Sequence, residues 1–198
     1  MRELFFDLET TGLPERRYSS YSSYFPPSEF FHYNCCRVVS IAWIIYEDGK
    51  KLKEVYYVIL PDGFVSSPKS LEIHKITDEY AKENGTPISL VFAEFYEDLS
   101  ECQRILSYNL DFDYNVFMAE CWRYKRREII KTMTDVIPLC IMKKSKEILG
   151  TIEGVDKKYF KLEEVYRFLF KDKEFKTAHN ALDDTQRCAD VFYKLMTI

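Results

Sequence analysis

The stretch LFFDLETTGLP at residues 4–14 sets two acids, Asp7 and Glu9, into an apolar run that breaks at Thr10-Thr11-Gly12. Alternate residues of a strand share a face, so Leu4, Phe6 and Leu8 point one way and Phe5, Asp7 and Glu9 the other. Two like charges on one packed face repel each other and lose their hydration unless something neutralises them. A divalent cation is the economical partner, because carboxylate oxygens suit Mg²⁺ or Mn²⁺. The rest of the chain can then be searched for further ligands.

Two later segments offer them. In SYNLDFDYNVF (107–117) a short strand passes into a helix, and Asp113 heads a stripe with Phe117 and Cys121 at helical spacing. Asp111 reads instead as a helix cap. In HNALDDTQRCADVFYKL (179–195), Asp184, Cys188, Val191 and Leu195 follow one buried stripe. Asp183, Arg187, Asp190 and Lys194 are assigned to the opposite, solvated face. Asp184 is therefore the inward acid, and His179 stands five residues before it.

The chain has 198 residues, 46% of them hydrophobic, enough for a single domain over 1–198 with one core. Residues 2–9 read as a strand, and 37–63 as two strands joined by a turn at Asp48-Gly49. A helix follows Thr86-Pro87, then a fourth strand near CQRILSYNL and a helix over about 112–127. DVIPLCIMKK and KLEEVYRFLF read as two more helices, and the last runs from Ala181. This is an α/β pattern: a mixed sheet flanked by helices. The Tyr/Ser/Pro-rich stretch 14–36 is longer than ordinary connections and reads as a surface insertion, or else as a lid or stacking surface beside the opening motif.

Net charge is −4, which argues against binding nucleic acid by bulk charge alone. The basic run RYKRR at 123–127 nevertheless makes Arg126 and Arg127 candidates for phosphate contacts. No apolar run reaches the roughly 18–20 residues of a membrane span, so no membrane association is expected. The N-terminus lacks a secretory pattern, and an intracellular protein is expected: cytoplasmic, or in a nuclear or viral compartment. The six cysteines show no CxxC pairing and read as reduced thiols.

DLETTG, YNLDFD and HNALDD, in this order, resemble the three motifs of the DEDDh (DnaQ-like) 3′-5′ exonucleases of the ribonuclease H-like superfamily. EIHKIT (72–77) and KLEEVYRFLF (161–170) are similar to softer family segments. Tyr108 stands where the family usually has histidine, and Lys75 where it commonly has glycine. The resemblance implies a ribonuclease H-like sheet, three antiparallel strands and then parallel ones. It also implies a catalytic set of Asp7, Glu9, Asp113, His179 and Asp184. The four acids would hold two divalent ions, Mg²⁺ or Mn²⁺, and His179 would be the general base.

By the same analogy Thr10, Leu13, His74, Ile76 and Asn109 contact the terminal nucleotide. The implied activity is hydrolysis from the 3′ end of single-stranded nucleic acid, releasing nucleoside 5′-monophosphates. DNA is slightly favoured over RNA, because DLETTG most resembles the proofreading subgroup. A DNA polymerase or a replication or repair protein would be a fitting partner. An RNA-trimming or oligoribonuclease-type enzyme stays open, as does a non-catalytic module of the same fold that binds nucleic acid or a polymerase.

Overall fold

The apolar run around the two acids forms β1 (Arg2–Thr10), the middle strand of a five-stranded sheet. The computed structural model describes residues 1–18, 23–153, 159–171 and 179–198. β2 (Val38–Glu47) pairs antiparallel with β1 and with β3 (Lys50–Val58). On the other side β4 (Arg104–Ser107) runs parallel to β1, and β5 (Ile137–Cys140) parallel to β4. The sheet order β3-β2-β1-β4-β5 is thus three antiparallel strands followed by parallel ones. Asp48 and Gly49 both have positive φ, 51° and 79°, the conformation that a two-residue hairpin turn requires.

Three helices cover one face: α3 (Ile88–Ser100), α4 (Leu110–Arg123) and α5 (Arg127–Asp135). Their Phe92, Phe95, Phe117 and Ile129 pack on Leu4, Phe6 and Leu8 of β1. The other face packs α6 (Ile141–Glu153), α7 (Leu162–Leu169) and α8 (Ala181–Leu195) against Phe5 and Ile44. β1 is therefore shared by two cores, with its alternate residues divided between them as the period of two demands.

Two readings of the sequence are corrected, and two helices that it left unassigned are added. IPLC is an edge strand, not the start of a helix; Pro138 is tolerated because an edge strand leaves one side of its backbone unpaired. The helix expected over 112–127 ends at Arg123, and Lys125 with φ 57° turns the chain into α5. Between β3 and α3 lie two short helices, α1 (Pro68–His74) and α2 (Asp78–Asn84), both capped by side chains, Ser67 and Thr77.

The 14–36 insertion is not simply a surface loop. Residues 30–33 make a 3₁₀ turn whose Tyr33 is 1% exposed, as is Cys36. The Tyr33 hydroxyl donates to Phe25 O, and Phe25 stacks on His32 with centroids 3.5 Å apart. Arg123 of α4 covers the Phe30 ring and donates to Phe30 O and Asn34 Oδ1. Tyr18 and Phe31 stay exposed, while Tyr21 lies outside the described residues.

Lys75 caps α1 at φ 62°, a left-handed position that suits glycine. Lys75→Gly is expected to raise stability by roughly 0.5–1 kcal/mol by relieving that conformation. The midpoint of chemical denaturation measures it, and a lower midpoint would mean that the lysine side chain stabilises the turn by contacts of its own.

All six cysteines are free thiols, four of them buried. Among the described residues no helix is long and apolar enough to cross a membrane.

Candidate active site

The site forms at the carboxyl ends of the parallel strands β1 and β4, where open α/β sheets gather their ligands. Phe5 packs against Phe192 of α8, so the Phe5–Asp7–Glu9 face of β1 turns toward that helix. Asp113 arrives from the first turn of α4, and Asp184 from the first turn of α8. One ligand atom each of Glu9, His179 and Asp184 lies within 4.8 Å of the others.

The electrostatics show how close the acids are. Burial, then Asp113, Glu9 and Asp184, raise the Asp7 carboxyl well above its usual range. Glu9 is pushed up to about 8 by burial, with Asp184 and Asp113 adding to it. Burial pushes Asp113 up to about 7, against the lowering effect of the Ser107 hydroxyl, which donates to its Oδ2, and of backbone hydrogen bonds. Asp113 and Asp184 thus lie near enough to Asp7 and Glu9 to act on their charge.

A protein without metal should show this strain in its pH dependence. Glu9 is raised from 4.5 to about 8, so the folded chain holds a proton that the unfolded chain gives up. That stabilisation is complete below the unfolded value and is lost as pH rises toward 8. In EDTA, stability is expected to fall between about pH 5 and 8 by on the order of 3 kcal/mol. Denaturant midpoints at the two pH values measure it; a flat profile would refute the mutual crowding of the acids.

The start of α8 is built around Asp184. Asn180 caps the helix, its Oδ1 accepting from the N–H groups of Leu182 and Asp183. His179 adopts φ 79°, uncommon for a residue with a Cβ, and its backbone N–H donates to Asp184 Oδ2 at 2.9 Å. Asp183 is exposed, as expected. Arg187 is not on a solvated face: it is 9% exposed, and its Nη1 donates to Asp184 Oδ1 at 3.0 Å. Residues three apart on a helix are neighbours, a contact that the buried-stripe assignment overlooked.

Beside the acids lies a cleft of about 470 Å³ lined by Glu9, Thr10, Gly12, Leu13, Ile73 and His74, with Ser67, Lys69 and Ser70 completing its wall. Its volume falls in the range of about 300–1,000 Å³ typical of small-molecule sites. Leu13 is 64% exposed at the mouth. His74 is buried; its Nδ1 accepts from Ile76 N–H, so the ring proton sits on Nε2, which has no partner among the described residues. Burial lowers the His74 pKa and keeps the ring neutral.

The mouth is held from behind. Thr11 exchanges two hydrogen bonds with the Arg37 backbone, and Ser67 N–H donates to Thr11 O. The buried Arg37 guanidinium is anchored on Glu120 and Asp62. At Gly12 a Cβ would lie 2.6 Å from Cys35 O, so this close approach requires glycine.

Of the expected nucleotide contacts, Thr10, Leu13 and His74 line this cleft. Ile76 reaches it only through His74, and Asn109 is the residue at which α4 begins. Ile73 and Lys69 were missed, although Ser67-Pro68 is a helix-start signal and would have placed Ser70, Ile73 and His74 along one helical face, with Lys69 one turn before Ile73. Asp111 pairs with Lys143 and is not the cap of α4.

Arg126 and Arg127 are not brought to the acids. Ten residues of α4 separate Asp113 from Arg123, about 15 Å at 1.5 Å per residue, and both arginines lie beyond that end. Arg126 there pairs with Glu128 and covers Phe92. Tyr108, the departure from the second motif, turns into the α6–α8 core and donates to Phe160 O.

The family model described as Exonuclease (RNase_T) matches residues 4–192. The chain belongs to this family. It is thereby a DEDDh-type nuclease domain of the ribonuclease H-like superfamily, within a hydrolase family that acts on nucleic acid and depends on divalent metal. No protein of curated function matches the sequence.

Solved structures agree on the fold. Exonuclease X in complex with a 5′-overhanging DNA duplex superposes with a TM-score of 0.60 at 20% identity, over 98% of this chain and 91% of that one. E. coli exonuclease I bound to a dT13 oligonucleotide gives 0.68 at 19% identity, over 99% of this chain and 41% of that one. Exonuclease I of Methylocaldum szegediense gives 0.68 at 21%, over 98% and 40%. The chain thus spans nearly all of exonuclease X and about two-fifths of the exonuclease I chains.

The donor set fits the metal dependence of the family. Burial raises the pKa values of three of the four hard oxygen donors, repulsion between the acids adds to it at Asp7 and Glu9, and hard divalent cations relieve such a cluster.

Proposed function

We propose that this chain is a 3′-5′ exonuclease that releases nucleoside 5′-monophosphates from single-stranded ends, with DNA slightly preferred over RNA. The observation that carries the reading is the meeting of Asp7, Glu9, Asp113, Asp184 and His179 beside a cleft of nucleotide size. The oligonucleotide in the exonuclease I structure and the duplex in the exonuclease X structure favour DNA.

Two divalent ions, Mg²⁺ or Mn²⁺, would supply an activated water and offset the charge that grows on the scissile phosphate. Asp7, Glu9, Asp113 and Asp184 would hold them. His179, at the exposed rim of the acids, takes the proton of the attacking water. Thr10, through its backbone, meets the terminal 3′-hydroxyl. Leu13 wedges against the last base, and Ile73 supports it from the facing wall of the cleft.

The test is hydrolysis of matched 5′- and 3′-labelled single strands of DNA and RNA in Mg²⁺, Mn²⁺ or EDTA. Stepwise shortening of 5′-labelled strands is expected with either metal and none in EDTA. Removal from the 5′ end, or cleavage in EDTA, would overturn the reading, and the RNA arm sets the sugar preference.

A further inference from the structure

Lys69 lines the cleft beside the acids but has no part in the hydrolysis just described. Its side chain is exposed, and among the described residues it forms no hydrogen bond or ion pair. No other lysine or arginine is among the residues that line the cleft, whose one carboxylate is Glu9. An ammonium offers three donors and no acceptor, so it favours a ligand that presents an acceptor.

The backbone fixes which end of the cleft Lys69 occupies. Ser67 N–H donates to Thr11 O, which ties the start of α1 to the chain two residues past Glu9. Two extended residues span about 7 Å. In keeping with that separation, the Glu9 carboxyl is shifted by burial, Asp184 and Asp113, and Lys69 is not among the causes. Ile73 follows Lys69 by one helical turn, and Ile73 and Leu13 are the exposed apolar side chains of the cleft. The cleft thus offers acids at one end, an apolar pair, and an ammonium away from the acids.

That arrangement suits a nucleotide held at the acids by its sugar and phosphate. With the ring against Leu13 and Ile73, the edge of the base remote from the sugar faces Lys69. There guanine, thymine and uracil carry a carbonyl oxygen, and adenine and cytosine an amino group. A lysine donates to the first and can accept nothing from the second.

We infer that Lys69 reads the terminal base, donating to the carbonyl of guanine, thymine or uracil and selecting against the amino group of adenine and cytosine. The inference rests on the 3′-end reading above and adds a base preference to it. Lys69 sets specificity and touches neither the metals nor the scissile bond.

The experiment uses the full chain in Mn²⁺ and four 5′-labelled single-stranded DNA dodecamers, identical but for a 3′-terminal dU, dC, dG or dA. The dU and dC ends differ only in the group exchanged at ring position 4 and in the proton at N3. For removal of the first nucleotide, kcat/KM is expected to be about three- to tenfold higher at the dU and dG ends than at the dC and dA ends. Lys69→Met, which keeps the stem without the donors, should level the four. Lys69→Glu, an acceptor in the same place, should reverse the order.

Equal values in wild type, or an order that persists in Lys69→Met, would overturn the inference. So would an equal loss at all four ends in Lys69→Met together with a weaker salt dependence, the signature of a backbone-phosphate contact. If no strand is shortened in Mn²⁺, the exonuclease reading has failed and the inference falls with it. Shortening at equal rates removes the base preference alone.

Discussion

Asp113→Asn is expected to abolish metal-dependent shortening of single strands while the protein folds at least as well as wild type. Asp113 is 3% exposed and raised to about 7 by burial, so its ionised form is costly in a chain without metal. Asparagine keeps the shape and still accepts the Ser107 hydroxyl, but it removes the charge that a divalent ion needs. Activity and stability should therefore move in opposite directions, as at sites where function is kept at the expense of stability. Turnover in Mn²⁺ and the thermal midpoint in EDTA measure the two sides. Wild-type turnover would refute the assignment of Asp113, and a collapsed midpoint would mean that the side chain is structural. Asp183→Ala, one residue before Asp184 but exposed, is the control and should leave turnover near wild type.

His179→Ala should reduce turnover by roughly 10²- to 10⁴-fold, the reach of a positioned general base. The Asp184 carboxylate would still accept the backbone N–H of residue 179, so the acids keep their places. Metal affinity, read by Mn²⁺ titration, should stay close to wild type. Because the ring lies within ligand distance of Glu9 and Asp184, the alternative is direct ligation of the metal. In that case affinity and turnover would fall together, and the base assignment would be withdrawn.

The parts of this site that could be read without coordinates are those carried by long periodic segments. β1 alternates cleanly enough to put Asp7 and Glu9 with Phe5, and the buried stripe of α8 singles out Asp184 over Asp183. What could not be read has physical causes. β5 is four residues long with a proline, too short for any period to register. α1 is two turns, so the wall formed by Lys69 and Ile73 went unseen, although its Ser-Pro start was legible. Arg187 was sorted by polarity to the solvated face, but an arginine can bury its stem and charge where a carboxylate waits three residues back. The 14–36 stretch read as a surface insertion or a stacking surface because its aromatic residues follow no period, so the buried Tyr33 could not be told from the exposed Tyr18 and Phe31.

That last feature bears on how an end gets in. Residues 30–36 reach the mouth through Cys35, whose thiol donates to Leu13 O and whose carbonyl accepts from Thr11. Swinging this segment aside would expose the Tyr33 ring, at about 1.5–3 kcal/mol for a large apolar side chain, and free Arg123 from Phe30 and Asn34. On this side the mouth of the cleft behaves as a fixed gauge rather than a door: its position is set when the chain folds.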